Sequence, residues 1–189
     1  VKTSGSYVDH EEPGYFLARV RPHSVRGHHV EQGHAAANLA KQFNEAARRL
    51  HEQSALAIAS AKGQITDTSA IHSLLGTTFG SVMLQAFALE LIIKALRYKH
   101  SLPRKTRADG HNLLGLFADL PKPIKDKVAA AYADKVSTST LDSLLRDYAR
   151  AFEEWRYMFE YNPKEAALGD LQNAFDAICE EVDAPQRSR

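Results

Sequence analysis

The chain has a single cysteine, Cys179, so no intrachain disulfide can staple it and a multi-thiolate metal cage is out of reach. Glycine and proline are scarce, 10 and 7 among 189 residues, and no stretch alternates strictly between apolar and polar positions, which excludes a sheet-dominated fold. An excess of either charge is missing, since 24 Lys and Arg oppose 23 Asp and Glu. An unbroken apolar run of about 20 residues is missing too, and a membrane-spanning reading with it. Thr77, Thr78, Ser81, Gln85 and Glu90 interrupt the most apolar segment. Nor does any stretch read as the charged, apolar and small-residue parts of a secretory signal, so the expected compartment is a reducing cytoplasm. Gly-rich phosphate loops, Gly-x-Ser-x-Gly elbows, His-Glu-x-x-His and Cys-x-x-Cys are all absent from the sequence, which removes the usual signatures of most enzyme classes.

What is present is alanine and 3.6-residue periodicity. At 44% hydrophobic and 25% charged residues, the chain is long enough to bury roughly 70% of its unfolded surface as one domain without staples. The expected fold is all-α, a compact antiparallel helical bundle over residues 34–185. A loosely structured arm over residues 1–33, rich in Pro and Gly, precedes it, and a short tail over 186–189 follows. Only Gly14 to Val20 could extend as a strand. The first helix is expected from Ala35 to Ala61, with Leu39, Phe43, Ala46, Leu50 and Ala57 on its buried stripe. The second, from Ala70 to Lys99, is apolar on both sides (Ile71, Leu75, Val82, Leu89 and Ile93 against Leu84, Phe87 and Leu91), the pattern of a central helix. Shorter helices are expected over Asn112–Asp119 and from Pro123 to Lys135. The next runs from Thr140 to Tyr161, opened by Ser139 and Asp142 at capping-box spacing, and the last is capped by Asn162.

Charge is segregated along this bundle. From Lys94 to Lys127 nine Lys or Arg stand against three Asp or Glu, while from Asp142 to Asp183 there are four against eleven. The loop from Arg97 to Arg107 contains no acid. Its cations could gather phosphates, with Tyr98 and His100 stacking on bases; it could be a solvated connection; or it could meet the acidic helix of a second copy. Glu90 is the only charged residue between Asp67 and Lys94. A carboxylate buried there must be paired or neutralised, which marks a functional site, or an ion pair with Lys94 four residues on. Arg156 lies at the edge of its helix's apolar stripe, placed either to reach an anion or to complete a ladder with Glu153 and Glu160. His23, His28, His29 and His34 crowd the arm, but their spacing fits no closed zinc site, so neither metal nor cofactor is expected.

Three segments in order carry a family resemblance: Phe87-Ala-Leu-Glu-Leu-Ile-Ile-Lys-Ala-Leu96, Gly110-His-Asn-Leu-Leu-Gly-Leu-Phe117 and Phe152-Glu-Glu-Trp-Arg-Tyr-Met-Phe-Glu-Tyr161. From Ala70 to Val182 the chain resembles the HEPN family, helical bundles of prokaryotic toxin–antitoxin and defence systems. The resemblance implies a homodimer that meets RNA or a nucleotide, with a cognate antitoxin or a nucleotidyltransferase-like protein as a further partner. Family members that cut RNA carry an Arg followed four to six residues later by His, and need no metal.

Here Arg156 matches the arginine, Tyr157 follows it, and Tyr161 stands where the histidine would be. No His follows His111. A tyrosine with an ordinary pKa near 10 is a poor general base at neutral pH, so cleavage is expected to be weak or lost. The expected site therefore has Arg156 and Tyr161 at its centre and Arg97, Lys99, Arg104, Lys105, Arg107, His111 and Tyr157 as ligand contacts. Glu90, Lys94, Trp155 and Glu160 orient them. The alternatives are a non-catalytic helical interaction module and an active metal-independent endoribonuclease that uses Tyr161 or His111.

Overall fold

The computed structural model describes residues 25–60, 68–103, 110–150 and 168–185. Six helices make up the described architecture: α1 (Val25–Ser60), α2 (Thr68–Lys99), α3 (Leu113–Ala118), α4 (Lys122–Ala133), α5 (Leu141–Asp147) and α6 (Leu168–Asp183). Among the described residues there is no strand, and the helices pack on one another. The all-α expectation holds. The arm before residue 25, with its candidate strand, lies outside the described residues.

The two long helices form an antiparallel pair whose register can be read from four contacts. Ser54 Oγ donates to Thr77 Oγ1 at 2.7 Å and Gln85 Nε2 donates to Asn44 Oδ1 at 2.8 Å. A Cβ placed on Gly80 would meet Leu50, and one on Gly33 would come within 3.2 Å of Tyr98 Cβ. Each pair of numbers sums to 129–131, so the helices run alongside one another without slip over nearly their whole length. Small residues permit this close approach. The positions of α1 that are buried are Ala37, Ala40, Ala47 and Ser54, and they recur at helical spacing.

That stripe is rotated from the expected one. Leu39 is exposed, as is Ala57, while Phe43 and Leu50 are half-buried; alanines face α2 because a leucine there would hold the axes apart. The helix also starts at Val25, not Ala35. Gly27 and Gly33 cost roughly 1 kcal/mol each in a helix interior, but packing of the Gly33 turn against Tyr98 and Lys99 supplies the tertiary contact that propensity omits.

The core lies along the second half of α2. Val82, Leu89, Ile92, Ile93 and Leu96 are fully buried against Leu116, Tyr132, Leu145, Leu171 and Ile178 from the other helices. By length and composition α2 could also cross a membrane, yet 61% of its most apolar window is buried inside the protein. Between Ser81 and Arg97 the expected Val82, Leu89 and Ile93 face is buried, while Leu84, Phe87 and Leu91 on the opposite side are half-buried. The expectation fails at Ile71 and Leu75, which are exposed where the hairpin outruns the shorter helices.

Shorter elements fix the remainder. α5 is capped by Thr140, whose Oγ1 accepts from Ser143 N at 3.2 Å. The expected cap, Ser139, is used otherwise: its hydroxyl bonds Tyr132 Oη at 2.8 Å and Asp170 Oδ2 at 3.3 Å, joining α4 to α6. The described helix stops at Asp147, with Tyr148 leaving helical geometry at φ −105 and ψ 19. Its expected continuation to Tyr161, and the Asn162 cap, lie outside the described residues. On α6 the predicted stripe is in place, with Leu171, Phe175 and Ile178 buried and Val182 packed against them.

Two outcomes follow from this packing. Ile93→Ala removes a fully buried side chain and is expected to cost about 2–5 kcal/mol in urea unfolding, with an unchanged m-value. Burial and the neighbouring Asp183 push the Cys179 thiol up to about 11, so the folded protein should react far more slowly with a thiol reagent at about pH 8 than the unfolded chain.

Candidate functional site

Glu90 sits on α2 with 1% of its side chain exposed. A lone carboxylate there would lose several kcal/mol of hydration, and two cationic or donor partners offset it. Lys94, one turn on, donates from Nζ to Oε1 at 2.5 Å, in the favourable Glu-to-Lys order. His111, brought from the far side of the basic loop, donates from Nδ1 to both carboxylate oxygens at 3.1 and 3.0 Å. An ionised carboxylate can only accept, so the ring nitrogen facing it, Nδ1, is the donor. The His111 side chain is 37% exposed, so the pair runs from the core to the surface.

The Gly110-His-Asn-Leu motif makes this possible residue by residue. Asn112 caps α3, its Oδ1 accepting from Gly115 N at 2.8 Å. Leu113 plugs the core at 2% exposure, and its amide donates to Ala149 O at 2.9 Å. That bond ties the loop to the chain immediately before residues 151–167.

Seven residues after Glu90, and about 20° away on the same face, Arg97 is also buried, at 5% exposure. Its guanidinium donates through Nη1 to Leu116 O at 3.1 Å and Asp119 Oδ2 at 2.9 Å, and through Nη2 to Pro103 O at 2.9 Å. α2 ends in a Schellman turn. Leu102 N donates to Arg97 O and Ser101 N to Tyr98 O, with Ser101 in the left-handed region at φ 55 where glycine is usual. Thus Pro103, the last described residue before the segment 104–109, and His111, just after it, are both held by buried charged side chains of one helix.

The predicted site residues separate accordingly. Glu90, Lys94 and His111 come together. Arg97 turns inward, and Lys99 donates to the terminal carbonyls of α6, Glu181 O at 2.6 Å, Val182 O at 3.0 Å and Ala184 O at 2.6 Å. Burial pulls the Lys99 ammonium below its ordinary range. Both cations therefore serve the fold's own carbonyls. Arg104, Lys105 and Arg107 lie outside the described residues, as do Trp155, Arg156, Tyr157, Glu160 and Tyr161.

Segregated charge is also met within the chain. Lys41 pairs with Asp183, Lys135 with Glu180 and Lys127 with the nearly buried Glu181. The acidic last helix is thus partly neutralised by its own α1 and α4. Among the described residues no group of three metal-ligating side chains occurs.

The sequence pattern pairs Glu90 with Lys94 at i,i+4, as found, and marks His111 separately. It missed that His111 pairs with Glu90 rather than with a ligand, because 21 residues separate them and no local pattern reports such a contact. It also missed Asp119 and Ser101.

No family model, no curated protein and no solved structure matches this chain.

Arg97→Lys keeps the charge but loses the planar fork, so one ammonium must replace three separately directed bonds. The expected cost is about 1–3 kcal/mol in chemical denaturation; a change within about 0.3 kcal/mol would show that the guanidinium does not hold the loop.

Proposed function

We propose that this chain is an HEPN-like protein that binds RNA or nucleotides through the basic segment 104–109, acts as a cytoplasmic homodimer, and has weak or no ribonuclease activity. One observation carries the binding reading. Two buried charges on α2, Glu90 and Arg97, are used to anchor the two ends of a segment that holds Arg104, Lys105 and Arg107. Burying charge is costly, and an ordinary solvated loop does not require it. Fixing both ends of a cationic segment lowers the entropy lost when phosphates bind. Arg97 and Lys99, turned inward, have no part in the contact set. The resemblance in the three segments supports the family reading and adds Arg156 as an anion anchor, with Tyr157 beside it and Tyr161 in the histidine's place. Under the same resemblance an antitoxin or nucleotidyltransferase-like partner would bind the dimer.

A second reading, an active metal-independent endoribonuclease, is favoured by the Glu90–His111 pair. A carboxylate on Nδ1 orients the imidazole, the arrangement that general-base removal of a ribose 2′-hydroxyl proton uses. In that reading His111 does the work that Tyr161 cannot.

Fluorescence anisotropy with a labelled single-stranded RNA at low ionic strength tests the binding. Affinity should fall steeply with salt, and Arg104→Gln/Lys105→Gln/Arg107→Gln should reduce the log–log slope by about 2, three phosphate contacts at roughly 0.7 each. Binding that is absent, insensitive to salt, or unchanged in the triple variant would contradict it. RNA cleavage in the presence of a chelator, lost in His111→Gln, would establish the second reading instead.

A further inference from the structure

We propose that the far end of the α1–α2 hairpin pairs with the same end of a second copy of this chain, two helices from each copy closing a four-helix bundle about a two-fold axis. Along α2, Ile71, Leu75, Thr78, Val82, Gln85 and Leu89 follow one another in steps of four and three, the spacing of a heptad seam. Val82, Gln85 and Leu89 are buried beneath the shorter helices. The seam continues beyond them, with Leu75 45% and Ile71 38% exposed. Among the described residues, no helix packs on that last stretch.

The neighbouring end of α1 is apolar on every side. Ala55, Leu56, Ala57, Ile58 and Ala59 are consecutive and all exposed, Leu56 at 70% and Ile58 at 51%. A helix apolar all round belongs in an interior, and a contiguous apolar patch left in water marks a contact surface. The hydrogen bond from Ser54 to Thr77 holds the two helices together just beneath it. They therefore present this surface jointly and already formed.

Charge points to the occupant. Residues 53–60 and 68–76 contain no Asp, Glu, Lys or Arg. A surface that meets its own copy across a two-fold axis must face itself, and an uncharged one sets no like charges together. A different protein is steered and selected by complementary charge, and a helix lying on a membrane carries a Lys- and Arg-rich polar face. The described hairpin end has neither feature. The area agrees. Fifteen residues of the two stretches are exposed, and at roughly 30–40 Å² per interface residue two copies would bury on the order of 1,000 Å² in total, the lower end of specific interfaces.

This inference rests on the homodimer of the proposed function and gives it a surface; it needs no RNA. Sedimentation velocity on the full chain, 21.0 kDa as a monomer, tests it from about 1 to about 100 μM. The wild type should approach twice the monomer mass, equally at about 0.1 M and about 0.5 M salt, because apolar burial is not screened. Leu56→Glu/Leu75→Glu changes two exposed positions, so it should keep the helical circular dichroism and raise the dimer Kd about a hundredfold or more. Leu39→Glu, at an exposed leucine of α1 away from the hairpin end, should leave the dimer intact. A wild-type chain that stays monomeric at about 100 μM, whether its hairpin end is shielded by its own chain or binds added phosphatidylcholine vesicles, would overturn the surface and the homodimer together. A dimer that survives Leu56→Glu/Leu75→Glu, or that Leu39→Glu or added salt dissolves as readily, would overturn the surface and leave the homodimer standing.

Discussion

The burial of Glu90 is the constraint on which the rest of the structure turns. A carboxylate at 1% exposure in the middle of the apolar central helix must be matched, and the helix itself supplies only Lys94. The second partner has to come from elsewhere in the chain. His111 provides it, and to do so the segment after α2 must return to the side of α2 from which it left. Once it returns, Asn112 starts α3, Leu113 enters the core and the Leu113 amide reaches Ala149. One buried charge thus decides where the basic loop ends, where α3 starts and where the chain after α5 departs. Arg97 performs the complementary task at the loop's other end.

The long α1–α2 pair is the frame that makes such burial possible. Its alanine stripe and its polar pins, Ser54 to Thr77 and Asn44 to Gln85, set a single register. In that register the second half of α2 is presented to the shorter helices as a core of Leu and Ile, with Glu90 and Arg97 on one face, holding His111 and Pro103. Buried polar pairs of this kind contribute little net energy but penalise a slipped register, because each slip would leave a donor or acceptor unsatisfied. The Lys99 cap on α6, and the lysines of α1 and α4 on its acidic end, then close the bundle around the same helix end.

The fold class was legible in the sequence because scarce Gly and Pro and sustained 3.6-residue periodicity leave little else to form. The existence of the helices followed, as did the burial of Val82, Leu89 and Ile93 on α2 and the stripe of α6. Three kinds of detail were hidden. The start of α1 at Val25 depends on what Gly33 packs against, which propensity does not encode. Its stripe is rotated because small residues, not the largest ones, face a closely packed partner. And Ser139 leaves its capping position to join Tyr132 and Asp170, a tertiary bond that competes with a local one. In the site, each of Glu90, Lys94 and His111 stood out for its own reason. The Glu90–Lys94 pair was legible from its spacing, but the meeting with His111 was not, since a contact across 21 residues is set by the packing of α3 on α2. The role of Arg97 was hidden in the same way: on a basic loop it reads as a ligand contact, and only the neighbouring carbonyls of Leu116 and Pro103 reveal an anchor.

The central claim is that Glu90 acts by holding His111 at the edge of the basic loop. A double-mutant cycle of Glu90→Gln and His111→Gln, read by chemical denaturation, addresses it directly. A coupling energy of about 1–3 kcal/mol between the two substitutions is the result this account predicts; additivity to within roughly 0.3 kcal/mol would contradict it.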